Sequence, residues 1–297
     1  MPQKLYKVFT HGDLDGAISL LVFMWARSND TIEFEELYNT DYLEKLNKYV
    51  EKTYNPPSTL ILDMALREEL IQFDHPNFTF IDHHKTTENF ISKFKQSKII
   101  YKEYTSNAKW MYKFMSNDLT HLSKEQKYLV ALADDFDSYT LQLPHSYDLN
   151  IIFWTEYKNK FSKFISDFKN GFKGFNQYQQ NIIKLEKEGA QKEADKLSKF
   201  EGIINVGGMQ KKTLAVIGEH FSSLVIDLIM KNYNPELFFF VNTKSERVNL
   251  RQNTKENPID LGAFAEKICE GGGHSYSAGG KITPLFMEIS KNLKPIC

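Results

Sequence analysis

Three short apolar runs in the first third of the chain each end in carboxylate or imidazole side chains, and this pattern restricts the fold more than any other. Leu5-Tyr6-Lys7-Val8-Phe9 leads into Thr10-His11-Gly12-Asp13-Leu14-Asp15-Gly16. Thr59-Leu60-Ile61-Leu62 leads into Asp63, and Phe78-Thr79-Phe80-Ile81 leads into Asp82-His83-His84. Such short continuous apolar runs mark strands buried on both faces of a parallel sheet. Parallel strands finish at one rim, and open α/β sheets bind their ligands there. Three strand ends would therefore carry acidic and imidazole groups to a common edge. Hard oxygen and imidazole donors at that density suit divalent cations. The competing reading of the first cluster is a turn between strand and helix, with Gly12 and Gly16 letting the backbone turn tightly. A lone Asp63 would be a helix N-cap.

Around these runs the chain keeps a β-α-β-α rhythm. Ala17 to Ala26 is apolar enough for a buried helix, Thr31 to Leu37 alternates like a strand, Tyr42 to Val50 has helical spacing, and Ile99-Ile100-Tyr101 reads as a fifth short strand. Helical segments follow around Ser106 to Met115 and Lys124 to Asp134. The second runs into Asp134-Asp135-Phe136-Asp137. Three aspartates at the negative end of a helix dipole need compensation, and a metal would supply it. Tyr147 to Phe175 is aromatic and helical, with Phe153, Trp154, Tyr157, Phe161, Phe164 and Phe168 read as packing residues. Gln177 to Lys199 is polar and free of proline, as expected of a long solvated helix that bridges two domains.

The second part is again α/β. Glu201 to Val206 and Thr213 to Ile217 read as strands, Phe221 to Met230 as a helix, and Glu236 to Val241 and Glu246 to Arg251 as paired strands. An amphipathic helix over Ile259 to Ile268 runs into Gly271-Gly272-Gly273-His274. Successive glycines either form a flexible turn or expose backbone N–H groups as an anion-binding nest, with His274 beside it. Arg251, near Asn253 at a strand end, offers a bidentate fork for the same kind of group.

Composition narrows the class of function. The 297 residues allow one large or two ordinary domains, and 41% hydrophobic with 25% charged residues is a soluble globular balance. A net charge of -1 argues against a tight, sequence-blind binder of long nucleic acid or of anionic membrane. Cys269 and Cys297 give neither metal spacing nor a disulfide framework, and no signal-like or membrane-spanning run is present, so a cytoplasmic protein is expected.

Taken in order, His11-x-Asp13-x-Asp15-Gly16, Asp63, Asp82-His83-His84, Asp135-Phe136-Asp137 and Gly271-Gly272-Gly273-His274 resemble the DHH phosphoesterase superfamily with its DHH-associated C-terminal domain. The resemblance spans nearly the whole chain. It implies an α/β protein with an N-terminal parallel-sheet DHH domain (residues 1–176) that is metal-binding and catalytic, a helical linker (177–200) and a smaller α/β substrate-binding domain (201–297). It further implies two divalent ions, Mn2+ with Mg2+ or Co2+ as substitutes, held by His11, Asp13, Asp15, Asp63, His83 and Asp135, with Asp137 fitting the fourth element as well. Asp63 would bridge the ions, His84 would lie beside the reacting phosphoryl group, and Asp82 would orient the second ring nitrogen of His83. Arg251 and His274 would bind substrate phosphate, supported by Asn253, Gly272 and Gly273.

Near-neutral charge and the lack of a third, nucleic-acid-binding domain favour a short substrate. The expected activity is a manganese-dependent phosphodiesterase of the nano-RNase type, acting on a short oligonucleotide or nucleotide and releasing nucleoside monophosphates, with a homodimer as an assembly open to it. Alternatives are a RecJ-like single-strand exonuclease, hydrolysis of cyclic dinucleotides or of 3′-phosphoadenosine phosphate, and, outside catalysis, a binding protein on a decayed DHH fold. Pyrophosphatase activity is least favoured, because that branch spaces its first His and Asp more widely than His11-x-Asp13.

Overall fold

A computed structural model of the chain describes residues 3–53, 56–220, 222–253, 258–274 and 276–296, with only the backbone of His274. The chain divides into two compact units, residues 1–183 and 184–297.

The first unit is built on a five-stranded parallel sheet: β1 (Leu5–His11), β2 (Thr31–Leu37), β3 (Ser58–Leu62), β4 (Phe78–Asp82) and β5 (Lys98–Tyr101), in spatial order β2-β1-β3-β4-β5. Alternate strand residues face two separate cores, because successive side chains of a strand point to opposite faces. Val8, Leu60, Leu62 and Ile81 pack on one side against α1 (Leu14–Ala26), α3 (Asn107–Phe114), α4 (Lys124–Asp137), α5 (Ser146–Glu156) and α6 (Phe161–Phe168). Phe9, Ile61, Phe78 and Phe80 pack on the other against α2 (Tyr42–Lys52) and the 3-10 turns of residues 68–94. Of the expected packing aromatics, Phe153, Tyr157, Phe161, Phe164 and Phe168 are buried. Trp154 is not: it is 41% exposed, since its neighbour Phe153 already takes the core-facing side of α5.

Helix α7 (Gln177–Lys196) is continuous, buries Ile183, Ala190 and Ala194, and leaves most of its polar residues in solvent. The second unit carries a seven-stranded mixed sheet, β6 (Ser198–Val206), β7 (Met209–Gly218), β8 (Leu237–Asn242), β9 (Arg247–Gln252), β10 (Gly272–His274), β11 (Ser277–Lys281) and β12 (Lys294–Pro295), in the order β10-β11-β9-β8-β7-β6-β12. Among its described strands only β7 and β8 run parallel. Helices α9 (Leu261–Cys269) and α10 (Pro284–Ser290) cover one face, and α8 (Ser223–Tyr233) with Ala190 and Ala194 of α7 covers the other.

Candidate metal centre

The strand order of the first unit reverses between β1 and β3, because β1 is flanked by β2 on one side and β3 on the other. At such a switch point the loops leave in opposite directions and open a crevice at the carboxyl rim. The end of β1, the turn after it and the first turn of α1 bring His11, Asp13 and Asp15 there, the residue after β3 is Asp63, and β4 ends on Asp82 beside His83 and His84. Each residue is locally fixed. Asp13 caps α1, its Oδ1 accepting from the Gly16 amide at 2.9 Å, and its Oδ2 lies 2.7 Å from His11 Nδ1. Asp15 is buried and accepts from the amides of Asn107 and Ala108, at 2.7 and 3.0 Å, at the amino end of α3. Gly16 is required by close approach: a Cβ there would lie 2.1 Å from the His11 carbonyl oxygen. Its φ is not positive, whereas Asp63, with a side chain, sits at φ 58°. Left-handed backbone at a non-glycine residue is costly and concentrates where function holds it.

Among the described residues donor atoms converge in three sets, each within 4.8 Å: His11, Asp13 and Asp63; Asp63, His83 and His84; and Asp15, His83 and Asp137. Asp63 belongs to two of the three. Its Oδ1 is buried with no hydrogen-bond partner among the described residues, and His83 Nε2 lies 3.4 Å from it. The same Nε2 lies 3.8 Å from Asp15 and 3.7 Å from Asp137. A buried carboxylate oxygen without a donor, surrounded by further carboxylates, is the arrangement a cation stabilises and an ordinary core does not. The donor set therefore fits divalent cations.

The electrostatics agree. Burial, reinforced by Asp15, Asp13 and Asp137, pushes the Asp63 carboxyl well above the usual carboxylate range. Burial and Asp15 do the same to Asp137, and burial raises Asp15. Burial pulls His11 down, but the charge and hydrogen bond of Asp13 outweigh it, so His11 is raised. For His83 burial is likewise overcome, by Asp15 and Asp137, and the imidazole is raised.

The acidic turn ending α4 separates into three fates. Asp134 is held by Thr105, Ser106 and the Lys109 ammonium, the last at 2.6 Å. Asp135, the expected ligand, turns away from the cluster. Its two oxygens accept from Thr140 Oγ1 (2.6 Å), Gln142 N (2.9 Å), Leu143 N (2.9 Å) and Ser146 Oγ (2.6 Å), and these bonds outweigh burial to lower its pKa. Asp137 is the member that meets His83 and Asp15. The negative end of α4 is thus compensated largely by protein donors.

The expected pairing of Asp82 with His83 is also corrected. Asp82 Oδ1 lies 2.7 Å from His84 Nδ1, and Oδ2 accepts from the His84 amide at 3.2 Å and from Thr87 Oγ1. Burial opposes these contacts, but they hold Asp82 below the usual carboxylate range. His83 Nδ1 instead meets the Tyr104 carbonyl at 3.1 Å. No sequence signal marks Tyr104, Asn107 or Ala108, because they act through backbone groups. Ser106 is legible as the N-cap of α3, its hydroxyl accepting from the Lys109 amide.

In the second unit the glycine run is not an open nest. Gly272 and Gly273 belong to β10, paired antiparallel with β11, and a Cβ on Gly271 would lie 1.9 Å from the Gly279 carbonyl oxygen. Arg251 of β9 is opposite Ser277 of β11, which is opposite His274 of β10, so the two residues occupy one cross-strand row. The His274 side chain lies outside the description, as does Cys297. Asn253 donates to Asn234 Oδ1 at 2.9 Å. Cys269 is buried, and burial pushes its thiol up to about 12. Among the described residues no helix is long and apolar enough to cross a membrane.

No protein-family model matches the chain, and no curated protein sequence does. Solved structures match over nearly its whole length. The DHH domain of a protein described as a ribosomal-protein family member superposes with TM-score 0.68 at 13% identity, over 98% of this chain and 87% of that one. The pGpG-specific phosphodiesterase PggH from Vibrio cholerae gives TM-score 0.58 at 12% identity, over 97% and 99%. RecJ in complex with Mn2+ from Thermus thermophilus gives TM-score 0.57 at 11% identity, over 99% of this chain and 53% of that one, so the chain spans about half of RecJ.

Proposed function

We propose, for a chain that has the DHH-domain fold, a metal-dependent phosphodiesterase that hydrolyses short oligonucleotides to nucleoside monophosphates. The observation that carries this reading is Asp63: one buried carboxylate, shared by two donor sets, with an oxygen that no protein donor satisfies among the described residues. Two cations would be held by His11, Asp13 and Asp63 on one side and by Asp15, Asp63, His83 and Asp137 on the other. Such a pair, with manganese the expected metal, supplies an activated water and neutralises charge on the phosphoryl oxygens.

The remaining steps belong to the chain. Asp82 is kept ionised and binds His84 through Nδ1, which orients the ring and leaves Nε2 with no partner among the described residues. His84 Nε2 is then placed to hold a proton against a phosphoryl or leaving-group oxygen. The Tyr104 carbonyl orients His83 in the same way through its Nδ1, leaving Nε2 to face the carboxylates. In the second unit Arg251 and His274 would bind the substrate phosphate, with Asn253, Gly272 and Gly273 shaping that end of the sheet. Near-neutral net charge supports a short substrate over a long polymer.

The test is digestion of 5′-labelled RNA and DNA oligomers of two to about thirty nucleotides with manganese, beside Asp63→Asn. Preferential loss of the shortest oligomers, absent in the variant, is the expected result. Degradation of long single strands only would replace this reading with an exonuclease. No cleavage of any length would refute it.

A further inference from the structure

Beyond the metal-ligand cluster, the segment between β5 and the end of α3 carries an aromatic and cationic surface that the proposed chemistry leaves unused. We propose that Tyr104, Trp110 and Phe114, with Lys102 and Lys113, form a track on which bases of a single-stranded nucleic acid stack beside the metal-ligand cluster. This deepens the phosphodiesterase reading and rests on it.

The track starts at the same rim as the cluster. Tyr101, the last residue of β5, pairs with Asp82, and the Lys102 amide donates to the Asp82 carbonyl at 3.4 Å. Two residues on, the Tyr104 carbonyl holds His83, and the chain then enters α3, whose first amides hold Asp15. The segment is therefore bonded to the cluster at both ends of the loop. One turn into α3, Trp110 and Phe114 lie on one helix face, as residues four apart do, with ring centroids 5.5 Å apart. Tyr104 continues the row, 6.1 Å from Trp110 at an interplanar angle of 38°.

This row meets solvent. Phe114 is 48% exposed, and Tyr104 and Trp110 are half-buried. Lys102 Nζ lies 5.7 Å from the Trp110 ring centroid and 5.9 Å from that of Tyr104, and Lys113 Nζ lies 5.8 Å from Tyr104. Both lysines are exposed, and the contacts of their ammonium groups among the described residues are with these rings. Exposed aromatic surface accepts any base, and ammonium groups that face rings rather than carboxylates accept the intervening phosphates. An apolar protein segment would use the rings but leave both charges idle, so charge complementarity favours a polyanion with flat apolar faces.

The experiment uses the full, manganese-loaded protein with Phe114→Ala, Trp110→Ala, Trp110→Phe and Lys113→Ala, each assayed on a pentanucleotide and on the same backbone without bases. Phe114→Ala and Trp110→Ala should raise KM for the pentanucleotide about five- to tenfold, leaving kcat and the base-free substrate nearly unchanged. Trp110→Phe should restore most of the loss. Lys113→Ala should weaken both substrates and reduce the salt dependence of binding by about one unit of slope. Should Trp110→Ala fail to fold, Phe114→Ala, at an exposed position, decides alone. An unchanged KM, or an equal loss on the base-free backbone, overturns the track. If neither substrate is cleaved, the enzymatic reading fails separately, and fluorescence anisotropy of both labelled oligomers still decides whether bases are bound here.

Discussion

Asp135 and its loop, compared with Asp63 and its rim, show two opposite ways of burying a carboxylate within one unit. The loop of residues 140–146 supplies two hydroxyls and two amides to Asp135, and its pKa is lowered despite burial. At the switch point between β1 and β3, Asp63 receives no donor at Oδ1 among the described residues and faces Asp15, Asp13 and Asp137, so its pKa is raised. Four donors thus hold the Asp135 charge, whereas Asp63 Oδ1 has none among the described residues, although Asp13 and Asp15 beside it each accept backbone amides. The residues that look most alike in sequence, Asp135 and Asp137, fall on opposite sides of this division.

The sharpest break would come from activity. On the proposed reading Asp63→Asn should lower turnover by roughly a thousandfold or more, since several kcal/mol of transition-state stabilisation would depend on the carboxylate shared by both donor sets. Its thermal stability without metal should stay equal or rise. Asp135→Asn should reverse the pattern, keeping the metal stoichiometry by calorimetric titration while lowering stability by about 3 kcal/mol, because one carboxylate oxygen becomes an NH2 donor and two of the four buried donors lose their acceptor. Loss of one bound ion in that variant, and not in Asp137→Asn, would return Asp135 to the ligand set.

The two carboxylates should also answer pH in opposite directions. Raised folded values mean that Asp63 and Asp137 bind protons more readily folded than unfolded, so the metal-free protein should gain stability as pH falls from those raised values towards the ordinary carboxylate range. The raised His11 and His83 act in the same sense, stabilising at low pH and losing that contribution as pH climbs through their folded values. Asp135 and Asp82, depressed, stabilise above the ordinary carboxylate value of about 3.9, and that contribution is lost as pH falls through their folded values. Melting temperatures of metal-free protein across pH should thus rise and then fall on acidification. Asp63→Asn and Asp137→Asn should flatten the first limb only, and metal binding to the wild type should release protons.

The smallest effect concerns backbone. With the charge removed in both, Asp63→Gly should be more stable than Asp63→Ala by about 1 kcal/mol, because φ 58° suits glycine and strains alanine. Equal melting temperatures would remove strain from the account of the rim.

Much of this architecture was legible in the chain. The apolar runs ending in His11, Asp63 and Asp82 specify buried parallel strands, and parallel strands must present their ends at one rim, so the cluster follows from local pattern and fixed geometry. The same holds for the paired strands β8 and β9 and for the solvated length of α7. Only tertiary structure decided which of the α4 aspartates reaches the rim. At about 100° per residue, positions 135 and 137 lie on well-separated faces of the helix. The packing of α4 against α1 and α3 sets which face meets His83, and no local signal records that rotation. It likewise decided that Tyr104 rather than Asp82 orients His83, because a backbone carbonyl carries no residue type, and that the glycine run is a strand, because the close approach of β11 is a long-range contact.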